Sequence, residues 1–155
     1  MRKFKVVMIT SYFDRNGVTS QVINYATNLD KNKFQVAIAA GEPYDIGYEK
    51  MCQENNIELC KLPQKQKNAY AYYRTIYSYL KKVKADIVHV HGSSALIAVE
   101  LLIAMLAGVP VRVSHSHNTI CSHPLLSSGA KTDFKSGVKL SFGMWRTCRK
   151  VDVWR

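Results

Sequence analysis

The chain has 155 residues, 47% apolar and 21% charged, enough for one domain with a full hydrophobic core and too apolar for a disordered segment. Lys and Arg number 22 against 11 Asp and Glu, and the resulting +11 favours an acidic partner: a phosphorylated small molecule, nucleic acid or an anionic bilayer surface. The longest apolar run, residues 95–107, is interrupted by Glu100 and is too short to span a bilayer.

A β-branched run over residues 4–10 predicts a buried first strand, and the polar SYFDRNG after it predicts a loop. A helix then begins near Val18 or Thr19, with Val22, Ile23, Ala26 and Leu29 at helical spacing, and residues 34–40 form the next strand. A shorter helix over 46–54, an Asn55-Asn56 turn and a strand over 57–62 follow, closed by Pro63. Residues 68–84 form an amphipathic helix whose expected apolar face is Tyr73, Ile76, Tyr77, Leu80 and Val83. A strand over 86–90, a helix over 94–107 capped by Gly108, and a strand over 111–115 opened by Pro110 complete the pattern. Strands alternating with helices, and apolar on both faces, predict an α/β fold: a doubly wound parallel sheet of Rossmann-like type. After Thr119 the alternation stops, and a segment around 134–142 is the last with amphipathic character.

Cys52, Cys60, Cys121 and Cys148 show no zinc-ligand spacing, and no secretory leader precedes them, so they read as reduced thiols of a cytoplasmic protein. Residues 131–155 hold seven basic and two acidic side chains, nearly half of the charge excess, and are set apart as a basic tail.

The residues with chemistry gather at strand ends. The first loop carries one glycine, Gly17, so the dinucleotide fingerprint GxGxxG is absent. Asn16, Gly17 and Val18 open the first helix, where free N–H groups and the helix dipole suit a phosphate; an ordinary capped turn is the equal alternative. His89 and His91 share one face of the fourth strand. His91, followed by Gly92, is the better candidate for the crevice, whereas His89 reads as a core histidine bonded to a backbone carbonyl. His115 and His117 repeat the pattern on the fifth strand, and Ser116, Asn118 and Thr119 add groups able to bind sugar hydroxyls or phosphate oxygens. Two HxH pairs could hold zinc, but neither contains a carboxylate, and the expectation is that no metal is bound. The tyrosines of residues 70–79 fit a core stripe better than a base-stacking platform, and no motif supports nucleic-acid binding.

The segments FKVVMIT with NGVTSQVINYATNLD, ADIVHVHG and VPVRVSHSHNT resemble the amino-terminal domain of the family 4 retaining glycosyltransferases of GT-B fold, especially those building bacterial capsular and exopolysaccharides. The likeness covers residues 3 to about 130. It implies one half of a two-domain enzyme: this half binds a saccharide acceptor, often lipid-diphosphate-linked at the inner membrane face, and the other half binds a nucleotide-sugar donor. By that similarity Asn16, Gly17 and Val18 lie where backbone approaches the donor diphosphate, with Asn16 in place of the first glycine of the usual pair. His91, Gly92, Asn118 and Thr119 fall at the substrate-binding rim, and His117 or His115 matches the histidine beside the reacting sugar. No cofactor is implied beyond the donor substrate. The family's donor-site features, a Gly-Arg…Lys pair and a Glu-x7-Glu segment, do not occur in these 155 residues. The expectation is therefore an acceptor-binding domain, 1–130, with a truncated or frame-shifted continuation, 131–155, inactive alone. A subunit presenting acceptor to a separate donor-binding chain is the alternative.

Overall fold

The computed structural model describes residues 2–92 and 97–117. Its elements are β1 Phe4–Thr10, α1 Gly17–Asn28, β2 Phe34–Gly41, α2 Ile46–Glu54, β3 Glu58–Leu62, α3 Ala69–Val83, β4 Ile87–Gly92, α4 Ile97–Leu106 and β5 Val111–Ser116. The five strands form one parallel sheet in the order β3-β2-β1-β4-β5. The order reverses direction between β1 and β4, so connecting loops diverge there and leave a crevice at the strands' carboxyl ends.

Alternation along each strand sorts its side chains into two cores. Val7 and Ile9 of β1 and Val88 and Val90 of β4 pack with Tyr72, Ile76, Tyr79 and Leu80 of α3 and Ala104 of α4. Val6 and Met8, on the other face, pack with Val22, Ile23 and Ala26 of α1 and Cys52 of α2. This is the doubly wound α/β fold that the strand and helix alternation predicted.

Local chemistry fixes the ends. Asn16, Asp45 and Asn68 cap α1, α2 and α3 by accepting the N–H groups of Thr19, Tyr48 and Ala71. Lys84 closes α3 in the left-handed region at φ 52°, and Gly108 takes φ 82° after α4. Helix α1 begins at Gly17, ahead of the expected Val18 or Thr19, because Asn16 caps it. The expected start of α4 at residue 94 lies outside the described residues. The apolar face of α3 differs from expectation: Tyr72 and Tyr79 are buried with Ile76 and Leu80, while Tyr77 is 38% exposed. Tyrosine packs its ring or exposes its hydroxyl with nearly equal ease, so a tyrosine-rich helix carries little information about its own phase.

The β1–α1 loop is held from below. Phe13 is fully buried and bridges Tyr44 in parallel, with Phe13 N–H donating to Pro43 O at 3.1 Å and Asp45 N–H donating to Phe13 O at 2.8 Å. Gly41 lies so close that a Cβ there would sit 2.4 Å from Ser11 O. Gly41→Ala must displace that loop, and a loss of about 1–3 kcal/mol is expected by urea denaturation. An unchanged midpoint would show a loop that moves freely.

Candidate functional site

A cleft of about 1010 Å³ opens at the carboxyl ends of β1 and β4. Six of the residues singled out from sequence line it: Asn16, Gly17, Val18, His91, Gly92 and His117. Asn118 and Thr119 lie outside the described residues.

One wall is the amino terminus of α1. Asn16 has extended backbone, φ −131° and ψ 167°, so this position does not require glycine. Its Oδ1 accepts Thr19 N–H at 2.8 Å and its Nδ2 donates to Asp14, leaving the Gly17 and Val18 N–H groups as helix-start donors beyond the cap. A Cβ on Gly17 would meet nothing within 4 Å, so the space beside this backbone is open to a ligand.

The second wall carries the histidines. Residues His91 and His115 are paired across β4 and β5, and His117 N–H extends the ladder by donating to Gly92 O at 2.9 Å. All four imidazoles therefore share one sheet face, with ring centroids 4.0 Å apart for His89–His91, 5.1 Å for His91–His115 and 4.5 Å for His115–His117. His91 Nδ1 lies 3.2 Å from His117 Nε2, so one ring donates and the other accepts. His115 on β5 and His117 just past its end separate: His117 lines the cleft, whereas His115 lines a second groove with His89 on the α1 side of the sheet. His89 is half-buried against the rings of Tyr25, His91 and His115 rather than sealed in an aliphatic core.

Burial, reinforced by neighbouring imidazoles, pushes His89 down to about 4 and His91 further still. His117 is lowered by burial and then by His115. These three rings are thus uncharged at neutral pH, and neutral His117 has one N–H donor and one acceptor nitrogen to offer without carrying a positive charge.

The third wall escaped sequence reasoning. Lys65 Nζ lies 2.6 Å from Glu100 Oε1, with side chains 16% and 4% exposed, and both residues line the cleft. Lys65 also sits 5.5 Å and 5.2 Å over the Tyr72 and Tyr73 rings. Burial works against its charge, but the hydrogen bonds and charges of Glu100 and Tyr73 prevail and hold its ammonium above the ordinary lysine value. Glu100 Oε2 is buried without a hydrogen-bond partner. The available signal was a single carboxylate in the otherwise apolar helix IAVELLIAML. Tyr12, Gln21 and Gln66 add polar and aromatic surface. Flat rings beside fixed donors and acceptors give the cleft both apolar faces and hydrogen-bonding groups.

A model of the family described as Glycosyltransferase Family 4 matches residues 15–152. Over 119 residues, 74% of this chain and 30% of the relative, the sequence is 30% identical to the glycosyltransferase EpsF of Bacillus subtilis (strain 168). The fold is similar to that of MurG from Acinetobacter baumannii, with a TM-score of 0.56 and 20% identity over 83% of this chain and 40% of that one. The chain thus spans less than half the length of either protein. Among the described residues no helix is long and apolar enough to cross a membrane. With the family model running from residue 15 to residue 152, well over half of its length, the chain belongs to glycosyltransferase family 4.

Proposed function

We propose that this chain is the acceptor-binding domain of a glycosyltransferase that moves a sugar from a nucleotide-sugar to a saccharide acceptor, lipid-linked, in polysaccharide biosynthesis at the inner face of the cell membrane. The observation that carries the reading is one cleft in which the α1 amino terminus, uncharged His117 and the Lys65–Glu100 pair converge. The N–H groups of Gly17 and Val18 meet a diphosphate. Glu100 Oε2 accepts a sugar hydroxyl, which ends its isolation. His117, which lines the cleft, hydrogen-bonds the sugar at the reacting carbon and favours the oxocarbenium-like state over the ground state. The net charge of +11 supports contact with an anionic bilayer. These 155 residues supply one wall of the reaction cleft, and transfer by them alone is expected to be negligible.

The test is a titration of the isotope-labelled chain with a water-soluble saccharide diphosphate, read by amide chemical shifts. Perturbations should centre on Asn16, Gly17, Gly92 and His117. Gly17→Ala should weaken binding at least tenfold and leave the urea midpoint no lower, since its methyl enters only the ligand's space. Perturbations elsewhere, or none at millimolar ligand, would overturn the reading. So would sugar transfer to a saccharide by the chain unaided.

A further inference from the structure

We propose that His89, His91 and His115 form a binding site for a divalent transition-metal ion, with imidazole nitrogens as its protein donors. The inference needs only these side chains and stands apart from the transferase reading. Parallel pairing sets His91 beside His115, and period-two alternation puts His89 on the same face, so one ligand atom from each of the three lies within 4.8 Å of the others. Tetrahedral zinc with Zn–N of about 2.0–2.1 Å requires nitrogens about 3.3 Å apart, so the rings have at most about 1.5 Å to close on an ion.

A second observation points to a ligand. His91 is 1% exposed, and its Nε2 is buried with no hydrogen-bond partner. An imidazole nitrogen in that state is left desolvated and unpaired unless something occupies its lone pair or takes its proton. Its other nitrogen, Nδ1, is 3.2 Å from His117 Nε2, the kind of outer hydrogen bond that fixes the ring of a metal-bound histidine. Burial keeps His89 and His91 unprotonated near neutral pH, so protons do not compete for the site. An all-imidazole donor set selects zinc, cobalt, nickel or copper over magnesium and calcium, which demand oxygen. Three neutral donors leave the ion's double charge and at least one coordination position to water or an anion. Missing carboxylates, the sequence-based argument against metal, therefore change the charge of the site rather than abolish it.

The experiment uses the untagged chain, freed of metal by chelation and titrated with Co²⁺ while its visible d–d bands are followed. One equivalent should bind with a nitrogen-ligated spectrum, be displaced by Zn²⁺ and be indifferent to excess Mg²⁺. Affinity should fall at least tenfold in His89→Gln and in His115→Gln, and hold in Cys60→Ser and in His123→Asn, which removes the fifth histidine of the sequence. The wild-type spectrum requires no variant to fold: an absence of saturable binding at micromolar Co²⁺, or a thiolate-to-cobalt charge-transfer band, overturns the site. Loss of binding in His123→Asn overturns it equally.

Discussion

Lys65→Met is expected to cost about 3–5 kcal/mol of folding stability, far more than an exposed ion pair. The reason is asymmetric burial: Glu100 is 4% exposed against 16% for Lys65, and their only short contact with each other is 2.6 Å. Removing the ammonium leaves a carboxylate that water cannot reach, with one oxygen already unpartnered. Methionine keeps most of the volume and the contact with the Tyr72 and Tyr73 rings, so the loss reports charge rather than packing. Adding Glu100→Leu should return most of the stability, because a buried pair replaced whole by apolar groups is near neutral. The same double variant should lose saccharide binding, since it strips the cleft's buried acceptor. Urea denaturation of the two singles and the double closes the cycle. A cost below about 1 kcal/mol for Lys65→Met would place the pair with solvated surface bridges. Because the Lys65 ammonium is held above its ordinary value, its contribution is complete below the unfolded lysine range and fades only as alkaline pH passes through the raised value, so neutral buffer serves for all four proteins.

The elements were legible where apolar periodicity and capping agreed. Helix α2 was expected over residues 46–54 and spans Ile46–Glu54, bracketed by the Asp45 cap and the Asn55-Asn56 turn. The phase of α3 was not legible, because tyrosines at 70, 72, 73, 77 and 79 surround most of the helix and only tertiary packing chooses Tyr72 and Tyr79. For the site, alternation showed that each histidine pair shares a face. The register joining the pairs, His91 beside His115, depends on how β4 and β5 slide against one another, and no local pattern encodes it. That register is also what sends His117 to the cleft and His115 to the groove. Lys65 and Glu100 are 35 residues apart, and each has an ordinary local reading: one more lysine near a basic helix, one interruption in an apolar run. Gly41 gave no sign at all, since its need for a missing Cβ comes from Ser11 O on a neighbouring loop.

The histidine face should make the metal-free protein acid-labile well above the pH at which carboxylates titrate. In the unfolded chain every imidazole takes up a proton near pH 6.5, whereas burial and then the neighbouring rings hold His89 to about 4 and His91 lower still in the fold. The unfolded state therefore binds more protons below pH 6.5, and stability must fall as pH falls. Both groups contribute fully above pH 6.5; the His89 share is lost by pH 4, and the His91 share goes on declining beyond it. Each proton is worth about 1.4 kcal/mol per pH unit, so two together remove up to about 5 kcal/mol between pH 6.5 and 4.5. Among the described residues the rings against these two are Tyr25 from α1, His115 from β5 and His117 just past its end, and none of them supplies a negative charge to offset protonation. Urea midpoints collected in EDTA across this range should drop steeply, and His91→Leu should roughly halve the slope between pH 6.5 and 5 by removing one proton from the balance. A flat profile there would mean that the imidazoles charge without unfolding the protein, and hence that water reaches them. A steep profile unaltered by His91→Leu would move the acid sensitivity to other groups and leave His91 as a bystander in a neutral pocket.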